Sequence, residues 1–319
     1  MHYQKLPQQI IVMTLVLLFL AGCGVPATTP TPSTTQPAQP TEQTVQPTVP
    51  ASTCSGNDSS PIGVLRSTDH GATWSSLGDA CIHGLTIKPA DPTGFTMGGR
   101  IVLYFVDFSH LNQSVPQILY RATSVDGVNF DTFQPVYSQT LTMVDPFVLP
   151  MPDGSFRLYV PSGQEGIISA VSSDGLAFTR ENGVRITYGG MPGALFLPDK
   201  RVRMFLNGEK DGQEGIFSMI SSDGLNFIPE SGMRIPAPAN MAVDNSQPIH
   251  LLDGSYLMLY QIHDVKLTDQ PEPWKFTEIH LATSTDAFNW TTNPAIIGYG
   301  GTSCVIEMLD GTLYIYYGH

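Results

Sequence analysis

The sequence predicts an all-β fold: a five-bladed β-propeller of four-stranded antiparallel blades, the last blade closed by the N- and C-terminal strands of the domain. Three observations carry that reading. A turn phrase of Ser or Thr, Asp and Gly, followed by an aromatic, recurs along the chain. Two neighbouring repeats match almost word for word. No segment holds the 3.6-residue apolar period of an amphipathic helix. The turn copies are Ser67-Thr68-Asp69-His70-Gly71 before Trp74, Thr123-Ser124-Val125-Asp126-Gly127 before Phe130, Ser172-Ser173-Asp174-Gly175 before Phe178, Ser221-Ser222-Asp223-Gly224 before Phe227, and Thr283-Ser284-Thr285-Asp286 before Trp290. A spacing of about 49 residues marks repeated supersecondary units, and a two-sheet sandwich would not explain it.

The first residues read as an address. Lys5 supplies positive charge, Ile10 to Ala21 is an apolar run too short to span a bilayer, and Leu20-Ala21-Gly22-Cys23 follows. That tetrapeptide resembles a bacterial lipobox. The resemblance implies a signal peptide over residues 1–22, lipidation of Cys23, and an extracytoplasmic protein held on a bacterial membrane, at the cell surface or in the periplasm, by its lipid anchor alone. Residues 24–53 are mainly Thr, Pro, Gln, Ser and Ala, with Glu42 the one charge. Such a stretch cannot bury enough apolar surface to offset its ordering entropy, so residues 23–53 are expected to form a disordered, extended stalk. The folded domain is then 54–319.

The second unit shows the blade pattern. Val144-Asp145-Pro146-Phe147-Val148-Leu149 is an apolar run ended by the turn Pro152-Asp153-Gly154. Ser155 to Val160 alternates as a strand, Ile167 to Val171 is a third, and the last strand follows the Asp174 turn to Val184-Arg185-Ile186. In the third unit Gln213-Glu214-Gly215-Ile216 repeats Gln164-Glu165-Gly166-Ile167, and Met233-Arg234-Ile235 repeats Val184-Arg185-Ile186. A first unit is expected from about Gly84 to Tyr137 and a fourth from Val243 to Ile297. The chain ends after half a unit, Thr302 to Tyr317, and the missing half is Ile62-Gly63-Val64-Leu65 with the Asp69 turn. Pairing the two ends closes the ring and leaves no open sheet edge.

The net charge of −13 is spread along the domain without a basic stripe, which argues against a nucleic-acid partner. No CxxC or His cluster has metal-ligand spacing, so neither a metal nor a cofactor is expected, and a monomer is expected. In an oxidising compartment Cys54 and Cys81, which bracket the first hairpin, are expected to form a disulfide and leave Cys304 free. A Cys81–Cys304 bond near the closing seam is the alternative.

Strands alternate in direction within a blade. First-strand starts and the loops between second and third strands therefore face one end of the ring, and the Asp-Gly turns face the other. The candidate catalytic residues at the first end are Asp145 and Asp244 at strand starts, with Glu165 and Glu214 from loops. His83 and Asn245 near equivalent strand starts, and Asp107, His263 and Trp274 from loops, are candidate substrate-binding residues, with His110, Glu209 and Asp264 in the same loops. Glu307, three residues before the Asp310-Gly311 turn, belongs to the opposite end. The extra length of the fourth unit falls between Gln261 and Glu278 and carries Trp274. An aromatic beside carboxylates suits a sugar, whose apolar face stacks while its hydroxyls take hydrogen bonds. An oligosaccharide or glycan is the expected partner.

The phrases Val144-Asp145-Pro146-Phe147-Val148, Asp153-Gly154, Leu158-Tyr159 and Ala282-Thr283-Ser284-Thr285-Asp286 resemble the five-bladed glycoside hydrolases of the arabinanase, β-xylosidase and invertase-type furanosidase superfamily. The resemblance covers about Pro61 to His319 at the level of blade pattern. It implies inward carboxylates at first-strand starts: an Asp on blade one, an Asp on blade two matched by Asp145, and a Glu on blade three. His83-Gly84-Leu85-Thr86-Ile87, read as the blade-one start, has no Asp, and Gly190-Met191-Pro192-Gly193 has no Glu. The turn at Ser67 to Trp74 is also similar to that of sialidases, which imply an arginine triad that Arg100, Arg121 and Arg157 do not reproduce in context. Two functional readings follow. One is a glycoside hydrolase-like protein with a non-standard carboxylate set, and the other is a non-catalytic propeller that binds glycan or protein.

Overall fold

The computed structural model describes residue 54 and residues 56–319, apart from 112, 114, 141, 164 and 268–271. The expected signal peptide, Cys23 and the stalk lie outside the described residues. The strands are short and pair antiparallel, apart from a two-residue parallel contact of β2 with β6. β1 (Ser59–Ser67) and β2 (Ser75–Ile82) come first, then β3 (Pro89–Met97), β4 (Arg100–Asp107), β5 (Gln117–Ser124), β6 (Asn129–Phe130) and β7 (Gln134–Gln139). Next are β8 (Phe147–Pro150), β9 (Phe156–Pro161), β10 (Ile167–Ser172) and β11 (Thr179–Arg180). The third group is β12 (Gly190–Phe196), β13 (Val202–Lys210), β14 (Gln213–Ser221) and β15 (Ile228–Pro236). β16 (Met241–His250), β17 (Tyr256–Asp264), β18 (Glu278–Ser284), β19 (Thr291–Thr292) and β20 (Gly298–Tyr299) form the fourth, and β21 (Ser303–Glu307) and β22 (Leu313–Gly318) end the chain. The only helical pieces among the described residues are 3-10 turns at Val265–Leu267 and Pro273–Phe276.

Three of the four sheets are local: β11-β10-β9-β8, β12-β13-β14-β15, and β16-β17-β18-β19 with β20 on β18. The fourth runs β21-β22-β1-β2-β6-β5-β4-β3 with β7 on β5. In it the two ends of the domain meet, because β1 pairs with β22 from Ile62↔Gly318 to Ser67↔Leu313. The two-residue contact of β2 with β6 fuses this terminal group to the group of β3, β4, β5 and β7.

The period-2 pattern of the strands explains the packing. On β4, Ile101, Leu103 and Phe105 join Ile62, Val64, Ile306 and Tyr316, whereas Val102, Tyr104 and Val106 join Leu158, Val160, Ile168 and Ala170. A strand buried on both faces reads as an unbroken apolar run, which is what Ile101 to Val106 is. The same sharing recurs from group to group. Phe147 and Tyr159 pack with Met204 and Phe217, Phe205 and Ile216 with Met258 and Tyr260, and Leu257 and Leu259 with Leu65, Val305 and Ile315. The packing therefore closes on itself.

The Asp turns act as latches between neighbouring sheets. In the turn after β5, the backbone N–H groups of Val128 and Asn129 donate to Asp126 Oδ1 at 2.9 and 2.8 Å, and Gly127 N–H donates to Ser124 Oγ at 3.0 Å. The turn after β14 repeats this on Asp223 and Ser221. The glycine carbonyls then accept bonds from the neighbouring strand group: Tyr316 Oη to Gly127 at 2.8 Å, Tyr104 Oη to Gly175 at 3.0 Å, and Tyr159 Oη to Gly224 at 2.8 Å. Burial pushes the Tyr104 phenol up to about 12, so it stays a donor.

Cys54 and Cys81 are bonded across a sequence separation of 27 with their Cα atoms 5.3 Å apart, and Cys304 is buried with a free thiol. The Cys81–Cys304 alternative is not taken up. His83 is not a strand start. β2 runs to Ile82, and the next inner strand begins only at Pro89. Leu85 and Ile87, whose alternation imitates a strand, pack on the core from the connecting loop.

Candidate active site

Four inner strands begin with one local device. Asp91, Asp145, Met191 and Asn245 have φ of 49°, 48°, 45° and 50°, the left-handed region that non-glycine residues seldom enter. Proline follows in three cases, Pro92, Pro146 and Pro192, and Ser246 in the fourth. In β3, β12 and β16 the ladder register slips at this point, a bulge that turns the side chain away from its regular direction. Backbone strain of this kind collects at functional sites.

Asp91 is thus a carboxylate at an inner-strand start that the sequence reading missed. It stands in the same Asp-Pro context as Asp145, and the Asp145 N–H donates to Asp91 Oδ2 at 2.9 Å. Thr302, which immediately precedes β21, donates its hydroxyl to Asp145 Oδ1 at 3.0 Å. Both aspartates are buried among strand ends. Burial raises Asp91 above the usual carboxylate range, against the Asp145 N–H and Thr302 hydroxyl, which favour its charge. Burial, then the neighbouring charge of Asp91, with a smaller contribution from Asp244, pushes Asp145 well above that range. The pair holds one negative charge far more readily than two, which suits one carboxylate acceptor beside one carboxylic acid donor.

Asp244 sits one residue before the bulge in the fourth sheet, opposite Gln261 in the ladder, so the bulge position itself belongs to Asn245. Burial raises Asp244 to about 6 despite His263, whose Nδ1 lies 3.4 Å from Asp244 Oδ2. Gln261 Nε2 donates to the carbonyls of Gly300 and Gly301 at 2.7 and 3.0 Å and so braces the segment leading to Thr302. Asn245 is fully buried. Its Nδ2 donates to the Ser303 carbonyl at 3.0 Å, while its Oδ1 has no partner. Asp145, Asp244, His263 and Asn245 thus cluster with Asp91 and Thr302 at one end of the inner strands. The third sheet offers Met191 and no carboxylate at its bulge.

The other predicted residues lie elsewhere or serve the frame. His83 is exposed and stands 3.5 Å from Asp58. Asp107 Oδ1 accepts the Ser109 N–H at 2.8 Å and that of Lys88 at 3.3 Å, which shapes the loop after β4. Glu165 pairs with Arg180 of the last strand of its sheet, β11, at 2.6 Å. Glu214 is exposed on β14 opposite Glu209 in the ladder. Both come from the second-to-third-strand hairpins, and neither has a hydrogen bond or ion pair to Asp91, Asp145 or Thr302. The Trp274 side chain lies outside the described residues. Arg100 and Arg157 are engaged with Asp131 and Glu181, so they make no anion-binding triad with Arg121. Among the described residues no group of three or more His, Cys, Asp and Glu is placed to hold a metal ion.

Beside Asp91, where β21 and β22 meet β3, is a cavity of about 210 Å³ lined by Lys88, Asp91, Phe108, Thr302 and His319 among others. At the opposite end of the inner strands the lining is apolar, with Phe95, Phe147, Leu149, Leu195 and Ile249 around a cavity of about 260 Å³. Hydrogen-bonding carboxyls and an adjoining cavity occur together at the first end.

No family model matches the chain, and no curated protein is significantly similar to it in sequence. Solved structures are similar in fold. A thermostable family-43 glycoside hydrolase superposes with a TM-score of 0.54 at 15% identity, over 75% of this chain and 86% of that one. An endo-arabinase from Bacteroides thetaiotaomicron gives 0.53 at 16% identity over 73% and 89%, and an endo-1,4-beta-xylanase from the same organism 0.52 at 14% over 73% and 87%. At such identities the likeness speaks for the fold: the domain is all-β and is built like these propeller-type glycoside hydrolases.

Proposed function

We propose that the chain is a cell-surface lipoprotein whose five-bladed propeller handles oligosaccharide at the Asp91–Asp145 mouth, as a glycoside hydrolase-like protein. The five blades are the three local sheets and the two halves of the nine-stranded one. One observation carries the functional reading: two successive inner strands are entered through the same Asp-Pro step with the aspartate at positive φ, the two joined by a 2.9 Å bond and tied to a third strand through Thr302. Asp91, whose Oδ2 accepts the Asp145 N–H, is the acceptor or base. Asp145 keeps the second carboxyl close to it. Asp244, with a proton held to about pH 6, stands in as acid for the carboxyl missing at Met191. Glycoside hydrolysis ordinarily uses two carboxyl groups flanking the scissile bond.

Because the bulge of the third sheet carries Met191, binding without turnover is the second reading. Both are tested by offering arabino- and xylo-oligosaccharides and aryl glycosides, with heat of binding and released sugar measured together. We expect saturable binding, turnover that declines as pH rises through about 6, and loss of both in Asp91→Asn. Binding with no released sugar at any pH selects the second reading. No binding to any saccharide overturns both.

A further inference from the structure

The cavity beside Asp91 narrows the kind of saccharide, on the premise of the glycan reading above. We propose that it takes a single terminal sugar ring stacked on Phe108, so that the protein recognises chain ends and not interior segments. Its volume of about 210 Å³ falls below the ~300–1,000 Å³ of pockets for drug-sized ligands, which leaves room for one ring and no second.

Its walls have the two-sided chemistry of a sugar. Phe108, Pro61 and Pro89 offer apolar surface, while Asp91, Thr302 and Lys88 offer hydrogen-bonding groups. One wall is braced backbone. The His319 N–H donates to the Pro61 carbonyl at 3.1 Å, the Gly301 N–H to the Gly318 carbonyl at 2.8 Å, and the His319 ring is held on Asp79 at 2.9 Å. The Phe108 N–H donates to the Lys88 carbonyl at 2.8 Å and fixes the backbone that carries the aromatic, whose partly buried ring also packs on the core. On this proposal the saccharide enters past Phe108 and ends against this wall. Thr302 belongs both to the cavity and to the bond with Asp145, so a ring seated here ends against the carboxyl pair.

The experiment titrates the whole protein with arabino- and xylo-oligosaccharides of one to six residues, alongside Phe108→Leu, Phe108→Trp and Asp145→Asn, with thermal unfolding of each variant as a check on folding. The expected result is affinity that levels off by the disaccharide, a roughly three- to tenfold loss at every length in Phe108→Leu, and retention in Phe108→Trp, whose ring still stacks. Affinity that keeps climbing to the tetrasaccharide and beyond overturns the proposal. So does a Phe108→Leu that binds like wild type while Asp145→Asn does not, an outcome that leaves the glycan reading standing. Wild-type protein that binds none of the saccharides removes the reading and the proposal together.

Discussion

Asp145→Asn is expected to make the protein more stable at neutral pH and to weaken its hold on saccharide about ten- to a hundredfold, the worth of one hydrogen bond to a charged or acidic group. The stability gain follows from the direction of the pKa shifts. Asp145, Asp91 and Asp244 all sit above their unfolded value, because burial disfavours the charge. For Asp244, both states are protonated below about pH 4 and the group costs nothing. Between there and about pH 6 the unfolded chain gives up its proton while the folded protein keeps it, so stability falls as pH rises, and above 6 the whole penalty is present. An uncharged amide of the same shape removes the penalty and still accepts the Thr302 hydroxyl at position 145. Asp244→Asn should gain roughly 1–3 kcal/mol at pH 8, a rise of several degrees in Tm, and little at pH 4. Thermal melts of wild type and both Asn variants at pH 4 and pH 8 check this. Equal gains at both pH values, or losses at pH 8, would contradict the assignment of buried, proton-holding carboxyls.

Arg203→Met should be among the most damaging single changes in the domain, at about 3–5 kcal/mol and on the order of 10 °C in Tm. Arg203 and Glu230 are almost fully buried and meet in a two-pronged pair of 2.7 and 2.8 Å, with Ser218 Oγ donating to the same carboxylate at 2.7 Å. Burial works against the Glu230 charge, but these donors outweigh it and hold the carboxyl below its usual range. Arg203 Nη1 also donates to the Asp286 carbonyl of the next turn at 3.3 Å, so the variant strands a buried carboxylate and loosens a latch between sheets. The second sheet repeats the arrangement in Arg157, Glu181, Ser169 and the Asp223 carbonyl. Arg201→Met is the control. Its pair with Asp199 is half exposed, and the loss should stay within about 1 kcal/mol. Similar melts for the two variants would show that the buried pair does not hold the sheets together.

Much of the fold was legible because its signals are local. The turn phrase needs only Ser, Asp and Gly at fixed offsets, and the period-2 runs mark strands wherever both faces are buried. The half unit at each end, completed by the β1–β22 ladder, was legible from the missing partner strands. The start of the first inner strand was not, because Leu85 and Ile87 alternate like a strand while serving as loop anchors. That error hid Asp91. A signal was present: Asp91-Pro92 and Asp145-Pro146 are the same dipeptide at equivalent places in successive units. The places of Glu165, paired with Arg180, and Glu214, opposite Glu209, depend on hairpin register and pairing, which spacing along the chain does not encode. Nor does it encode Thr302, whose place beside Asp145 arises only when the last strand comes round to meet the first.

The central claim is that saccharide sits at the Asp91–Asp145 mouth, and a crystal structure of the protein with a bound arabino- or xylo-oligosaccharide tests it most directly. The account predicts a sugar ring against Phe108 with hydroxyls within hydrogen-bond distance of Asp91 and Lys88. A saccharide bound instead at the opposite end, between Phe95, Phe147 and Ile249, or on the outer grooves with the carboxyl pair untouched, would contradict it.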